Sequence, residues 1–216
     1  SLHRTIGTLL AASEGLDDRL FDVVSHLNAG RALLESDEER GRLLDFNLRA
    51  AQMAKASNAW RAALHHIEVT RELLGPGAHA TDYARWLTLE TLTAEVSYVL
   101  GDEAGTDAAI DDIVEHAQTE LDRAAAYRLR VLAYLARNQL DRGLATAKEL
   151  AASVGVSLPA RAKTHHVVLG LLKTKWLLRN QTRERLLALP PMTDSNTRLA
   201  MEVLSAVVTT TFLAEP

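Results

Sequence analysis

Residues that break helices are scarce in this chain. The 216 residues include only five prolines and eleven glycines. An all-β fold would need more turn-forming residues, because its strands are separated by a turn about every 8–12 residues. Between the breaks, apolar residues recur at spacings of three and four, as in Leu44, Leu48 and Ala51. Such spacing is typical of amphipathic helices that bury one side. The sequence therefore predicts an all-α fold.

Local capping signals divide the chain into helices. Ser36-Asp37-Glu38-Glu39 has the form of a capping box and predicts a helix over 37–56. Gly75-Pro76-Gly77 predicts the end of the next helix, and Thr119 predicts the N-cap of a later one. Two more helices are predicted over about 160–179 and 195–214, separated by the Pro190-Pro191 break.

The helices between these signals form pairs, each with a long helix, a tight turn and a shorter helix. The turns are predicted near Asn58, Gly101 and Asn138, at intervals of 43 and 37 residues. A period of roughly 34 to 47 residues with two helices per unit indicates an α-solenoid, because one pair cannot bury its own apolar side and must stack on its neighbour. A compact bundle is the alternative, while the frequent breaks argue against a long coiled coil.

The solenoid is predicted over 36–216, and 1–35 is predicted to be an N-terminal helical cap or a linker from a preceding domain. Leu20, Val23 and Leu27 suggest a short amphipathic helix within that cap. The last predicted helix has no partner after it, whereas a solenoid needs a polar terminal cap. We therefore expect the sequence to be a segment of a longer protein.

Composition removes several classes of function. Lys and Arg number 24 against 28 for Asp and Glu, giving a net charge of -4, which argues against a general nucleic-acid binder. The absence of cysteine excludes disulfides and thiol catalysis. No apolar run reaches the roughly 18 residues that a membrane-spanning helix requires. We expect no nucleic-acid or membrane partner and a cytoplasmic location.

No motif in the sequence indicates catalysis or a metal site. It contains neither a Gly-x-x-x-x-Gly-Lys phosphate loop nor a Gly-x-Ser-x-Gly nucleophile elbow. The pairs His65-His66 and His165-His166 cannot each clamp one metal, because adjacent helical residues point about 100° apart. Asp112 and His116 have a helical ligand spacing but need a third ligand from elsewhere. We predict no catalytic residue, no metal and no cofactor in this segment.

Other prominent residues are interpreted structurally. Trp60, Trp86 and Trp176 are predicted to pack between helices. Val168, Leu171 and Leu172 are predicted to face inward on the helix over 160–179. The histidine pairs are interpreted as partly exposed, and the acidic residues of the helix after Gly101 as a solvated face; these are Asp107, Asp111, Asp112 and Glu115.

Several strings carry a resemblance to a known family. They are Asn-Leu-Arg-Ala-Ala-Gln-Met-Ala-Lys-Ala-Ser at 47–57, Phe-Asp-Val-Val-Ser-His-Leu-Asn-Ala-Gly at 21–30, and Leu-Pro-Pro-Met-Thr-Asp at 189–194. The chain resembles the tetratricopeptide-like region of large bacterial signalling ATPases. In that family an AAA-type (STAND-like) ATP-binding domain is followed by helical repeats. GAF and sensor histidine kinase domains often come after, and a Ser/Thr protein kinase precedes in some members.

The resemblance implies a right-handed superhelix in which the first helix of each pair lines a concave groove. The groove positions expected from spacing are Gln52, Lys55, Glu95, Tyr98 and Arg128. The implied function is a non-catalytic module of a cytoplasmic signalling ATPase or kinase, which binds a protein or another domain of the same chain and relays a signal. The alternative is a sensor that binds a small-molecule inducer inside the superhelix. An apolar pocket with a few polar groups would favour this alternative. An enzyme using Asp112 or His116 is a distant third.

Overall fold

The computed structural model describes residues 2–12, 15–34, 36–153, 155–156 and 163–194, and beyond them 197–198, 201, 204–205 and 208. All regular structure in these ranges is helical and no strand occurs there, which confirms the all-α prediction. Short 3₁₀ turns cover Leu16–Arg19 and Arg31–Leu33. The α-helices are α1 (Leu2–Ala11), α2 (Leu20–Ala29), α3 (Asp37–Ala56), α4 (Trp60–Leu74), α5 (Ala78–Thr81), α6 (Tyr83–Leu100), α7 (Glu103–His116), α8 (Glu120–Ala136), α9 (Leu140–Ser153), α10 (Thr164–Leu178) and α11 (Arg183–Leu187).

The chain divides into two compact units, Ser1–Ala133 and Tyr134–Pro216. In the first unit α1 packs on α2 and α2 packs on α3. The predicted pairs α3/α4 and α6/α7 are both formed, and α6 also packs against α3 and α4. Among the helices described, none has the length and hydropathy required to cross a membrane.

The long helices end in the same way. Asn58, Gly101 and Asn138 have φ of 58°, 76° and 57°, the left-handed region in which Gly and Asn are the most readily accommodated residues. The amide after each one bonds a carbonyl five residues earlier, which satisfies an otherwise free end of the helix. The bonds are Ala59 N to Ala54 O (2.8 Å), Asp102 N to Ser97 O (2.9 Å) and Gln139 N to Tyr134 O (2.8 Å). The three predicted turns are confirmed.

The predicted helix starts are also present. The Ser36 hydroxyl accepts from the Glu39 amide at 3.2 Å, and α3 has its predicted bounds. The Thr119 hydroxyl accepts from the Asp122 amide at 3.1 Å. The Glu39 carboxylate accepts from the Arg4 guanidinium at 2.6 Å, which ties α1 to the start of α3.

Apolar clusters form the core of the first unit. One joins α3, α4 and α6 through Leu43, Ile67 and Leu89. Another joins α6, α7 and α8 through Trp86, Ile110 and Ala126. A smaller one joins α2 to α3. These clusters hold each helix pair together and hold neighbouring pairs against each other.

The prediction for α10 is wrong in its orientation. Val168, Leu171 and Leu172 are 47%, 65% and 58% exposed rather than inward. Trp176 is 60% exposed, with the Arg179 guanidinium 5.0 Å from its ring centre, so it is not a packing residue as predicted. The apolar spacing shows which side chains share one side of a helix, but not whether another element covers that side. The predicted helix over 195–214 lies mostly outside the described residues.

A buried polar network joins α2, α3 and α4. Asn28 and Asn47 exchange two amide hydrogen bonds of 3.0 and 2.9 Å, and His66 Nδ1 lies 3.1 Å from Asn47 Oδ1. Asn47 is fully buried and His66 is 8% exposed. The prediction of exposed histidines therefore holds for His65 and for the 165–166 pair, but it is wrong for His66, which is buried and has Asn47 of α3 as the partner of its Nδ1.

The burial of His66 predicts a pH dependence of stability. Burial lowers the pKa of His66, and the neighbouring His65 lowers it further. The unfolded chain, with an ordinary pKa of about 6.5, then binds the proton more tightly than the folded chain. This contribution to stability is complete above about pH 6.5 and is lost as the pH falls below it. We expect thermal melts at pH 5 and pH 7.5 to show a smaller acid-induced loss for His66→Gln than for the unaltered chain.

The exposed His165 provides the matched control. His165→Gln removes one histidine without touching the network, so its acid-induced loss should equal that of the unaltered chain. An identical pH dependence for the unaltered chain and His66→Gln would contradict the assignment.

Candidate functional site

Two surface ion pairs join α3 to α6. Lys55 Nζ lies 2.5 Å from Glu95 Oε2, and Arg85 binds both oxygens of Asp45 at 2.7 and 2.8 Å. Each pair links residues 40 apart in the sequence, so the two helices lie parallel with a constant offset. Hydrogen bonds from Arg85 to Asp45 and Asp82 raise the pKa of the guanidinium above its ordinary value, which keeps it charged.

The next long helix, α8, also contacts α6. The Tyr83 hydroxyl on α6 donates to Asp122 Oδ2 on α8 at 2.8 Å. Glu95 and Arg128 together line a recess of about 80 Å³ between α6, α7 and α8. Arg128 is exposed and makes no ion pair with any residue that the structure describes.

The structure thus brings three of the five predicted groove positions together. We call Lys55, Glu95 and Arg128 the polar strip. Gln52 and Tyr98 are exposed and lie three residues from Lys55 and Glu95, on the adjacent turns of α3 and α6.

A larger recess lies between the end of α4, the turn at 75–77, α5, α6 and α7, and the sequence analysis did not predict it. Its volume is about 540 Å³, within the roughly 300–1,000 Å³ common for ligand pockets. Charged, aromatic and apolar groups converge on it, together with the backbone of the turn. The lining side chains include Arg71, Glu72, Leu74, Pro76, His79, Trp86, Leu89, Glu90 and Asp112.

A buried ion pair stands at this recess. The Glu90 side chain is only 4% exposed and receives both terminal nitrogens of Arg71, the longer contact being 3.0 Å. Arg71 also donates to the Thr93 hydroxyl at 2.9 Å. Glu90 follows Trp86 by one turn on the buried side of α6. The sequence analysis did not predict this pair; the signal that could have indicated it is an acid among the mostly apolar residues on the buried side of α6.

Asp112 and His116 also belong to this region. The Trp86 indole donates to Asp112 Oδ2 at 3.1 Å, and His116 Nδ1 lies 3.1 Å from Asp112 Oδ1. The rings of His116 and His79 stack with centres 3.8 Å apart. In the part of the chain that the structure describes, no three His, Cys, Asp or Glu side chains form a metal-binding group.

The acidic helix α7 is only partly a solvated face. Asp111 and Glu115 are exposed, as predicted, and Asp111 pairs with Arg130 of α8. Asp112 instead turns toward Trp86, and its side chain is 39% exposed. Adjacent helical residues point in different directions, so one acidic run supplies both a surface and a recess.

Comparison with known proteins assigns no family to the chain. A scan against protein-family models, a search of curated proteins and a search of solved structures each found no match. Function therefore has to be inferred from the contacts of the polar strip and of the recess.

Proposed function

We propose that this chain is a non-catalytic interaction and signal-relay module, built of tetratricopeptide-like helix pairs, within a larger cytoplasmic signalling ATPase or kinase. Its partner is a protein or another domain of the same chain. The observation that carries the proposal is the polar strip, to which α3, α6 and α8 each contribute. These are the first helices of the three predicted pairs, the helices that line the groove in a right-handed solenoid of this kind.

The energetics of the strip suit a relay. The contacts between α3 and α6 on this surface are ion pairs that are partly exposed to solvent, and such pairs contribute about 0–1 kcal/mol each. The apolar clusters beneath them hold the helices together. A partner that binds the strip can therefore exchange these ion pairs for its own at small cost and alter the curvature of the stack, which would bias the neighbouring ATPase domain.

The proposal is tested by site-specific photo-cross-linking in the full-length protein in its native cells. A photoreactive residue at Gln52 or Tyr98 should yield one protein-linked product, identified by mass spectrometry, because both positions flank the strip. The matched control is Arg61, which is exposed on α4 rather than on a first helix. We expect little product there, and a loss of at least about threefold at Gln52 when Arg128→Glu reverses the charge of the strip.

Equal cross-linking from Gln52 and Arg61, or no effect of Arg128→Glu on the product at Gln52, would refute the proposal. A relay also requires that Arg128→Glu change the ATPase or kinase rate of the full-length protein. If Arg128→Glu abolished the cross-link but left the ATPase or kinase rate unchanged, the strip would still be a binding surface, but the relay function would be refuted.

A further inference from the structure

We propose that the recess between α4, α6 and α7 binds a small organic cation, with an ammonium or guanidinium group on a short apolar body, and that Asp112 is its charged partner. This inference goes beyond the interaction function and does not depend on it. All of the groups involved belong to the first compact unit.

The charge balance of the recess favours a cation. Three carboxylates and one guanidinium line it. Arg71 is neutralised by Glu90. Glu72 pairs at 3.0 Å with Arg31, a residue that does not line the recess. Asp112 is the remaining carboxylate, and no Lys or Arg among the described residues forms an ion pair with it. An anion entering the recess would meet this uncompensated negative charge.

Asp112 is already oriented to receive a ligand. Its Oδ2 accepts from the Trp86 indole at 3.1 Å, and the His116 ring, which hydrogen-bonds the Asp112 backbone carbonyl through Nδ1 at 3.1 Å, lies 3.1 Å from Oδ1. A carboxylate offers about four acceptor positions, so these two contacts leave room for donors from a bound cation. Because the carboxylate is fixed before binding, little conformational entropy is lost when the ligand arrives.

The remaining walls suit a short apolar body. Leu74, Pro76 and Leu89 line the recess together with Trp86. A volume of about 540 Å³ accommodates a molecule of the size of an arylalkylamine or an aminoalkylguanidine. If the chain is a small-molecule sensor, this recess is its binding site and organic cations are its ligand class.

The test uses charge-matched probes on the whole chain. Phenethylamine and agmatine are the cationic probes, and 3-phenylpropionate is the anionic counterpart of the first. Calorimetry should show saturable binding of at least one amine and none of the anion. In NMR spectra the amine should shift the indole N–H signal of Trp86, which Trp86→Phe identifies, and leave those of Trp60 and Trp176 in place.

Two variants separate the site from a general attraction to acidic surface. Asp112→Asn keeps an oxygen for the Trp86 indole but removes the charge, and we expect the amine to bind at least about tenfold more weakly. Glu115→Gln removes one charge from an exposed position on the same helix and should leave the affinity unchanged. Circular dichroism is used to check that each variant is folded. If Asp112→Asn does not fold, the shift of the Trp86 indole signal in the unaltered chain tests the site instead.

The proposal is overturned by three results. They are unchanged amine affinity in a folded Asp112→Asn variant, equal binding of the amine and 3-phenylpropionate, and no shift of the Trp86 signal by either amine at millimolar concentration.

Discussion

Replacing Leu89 by alanine is expected to lower the free energy of unfolding by about 3 kcal/mol. Leu89 is 1% exposed and lies in the cluster that joins α3, α4 and α6. The substitution removes apolar contacts and leaves a cavity that the surrounding helices can fill only in part. Urea denaturation followed by the helical circular dichroism signal measures the change.

Leu100 is the matched control because it lies on the same helix but is 38% exposed. The same substitution there should cost less than about 1 kcal/mol, since few contacts are lost. Similar losses for Leu89→Ala and Leu100→Ala would show that α6 does not use Leu89 to pack against α3 and α4.

Arg71→Met is expected to cost about 3 kcal/mol, because it leaves the buried Glu90 carboxylate without its partner. The double variant Arg71→Met/Glu90→Met should regain much of that loss, since two apolar side chains need no compensation. Urea denaturation of the two variants and of Glu90→Met completes a double-mutant cycle, in which we expect a strong positive coupling between the two positions.

Arg31→Met tests whether the burial of Glu90 causes the large destabilisation expected for Arg71→Met. Arg31 pairs with Glu72, but both side chains are largely exposed. Such a pair contributes about 0–1 kcal/mol, so its loss should be small. If Arg31→Met and Arg71→Met were equally destabilising, the burial of Glu90 would not explain the effect.

The ends of the helices could be predicted from the sequence because short-range chemistry determines them. Ser36 and Thr119 cap through their own hydroxyls, and Asn58 and Gly101 close helices through their backbone conformation. Each signal needs only the residues beside it. The four-residue helix α5 was not predicted, because it lies within the break that follows Gly75.

Burial of polar residues was harder to predict because it depends on distant partners. His66 lies beside Asn47, and Glu90 lies beside Arg71; both pairs are 19 residues apart. Each of these side chains looks like a surface residue until the neighbouring helix supplies its partner. The same reason explains the candidate sites. Individual strip positions follow from helix spacing, whereas the recess needs α4, α6, α7 and the turn at 75–77 to be assembled.

The two ion pairs between α3 and α6 also select one docking of these helices over its alternatives. Asp45 in the middle of α3 faces Arg85 near the start of α6, and Lys55 near the end of α3 faces Glu95 in the second half of α6. Antiparallel docking would instead oppose Asp45 to Glu95 and Lys55 to Arg85, so that like charges repel at both ends. A slip by one turn would break both pairs at once. Pairs that add little to stability can thus discriminate between alignments, and salt should weaken that discrimination before it loosens the core.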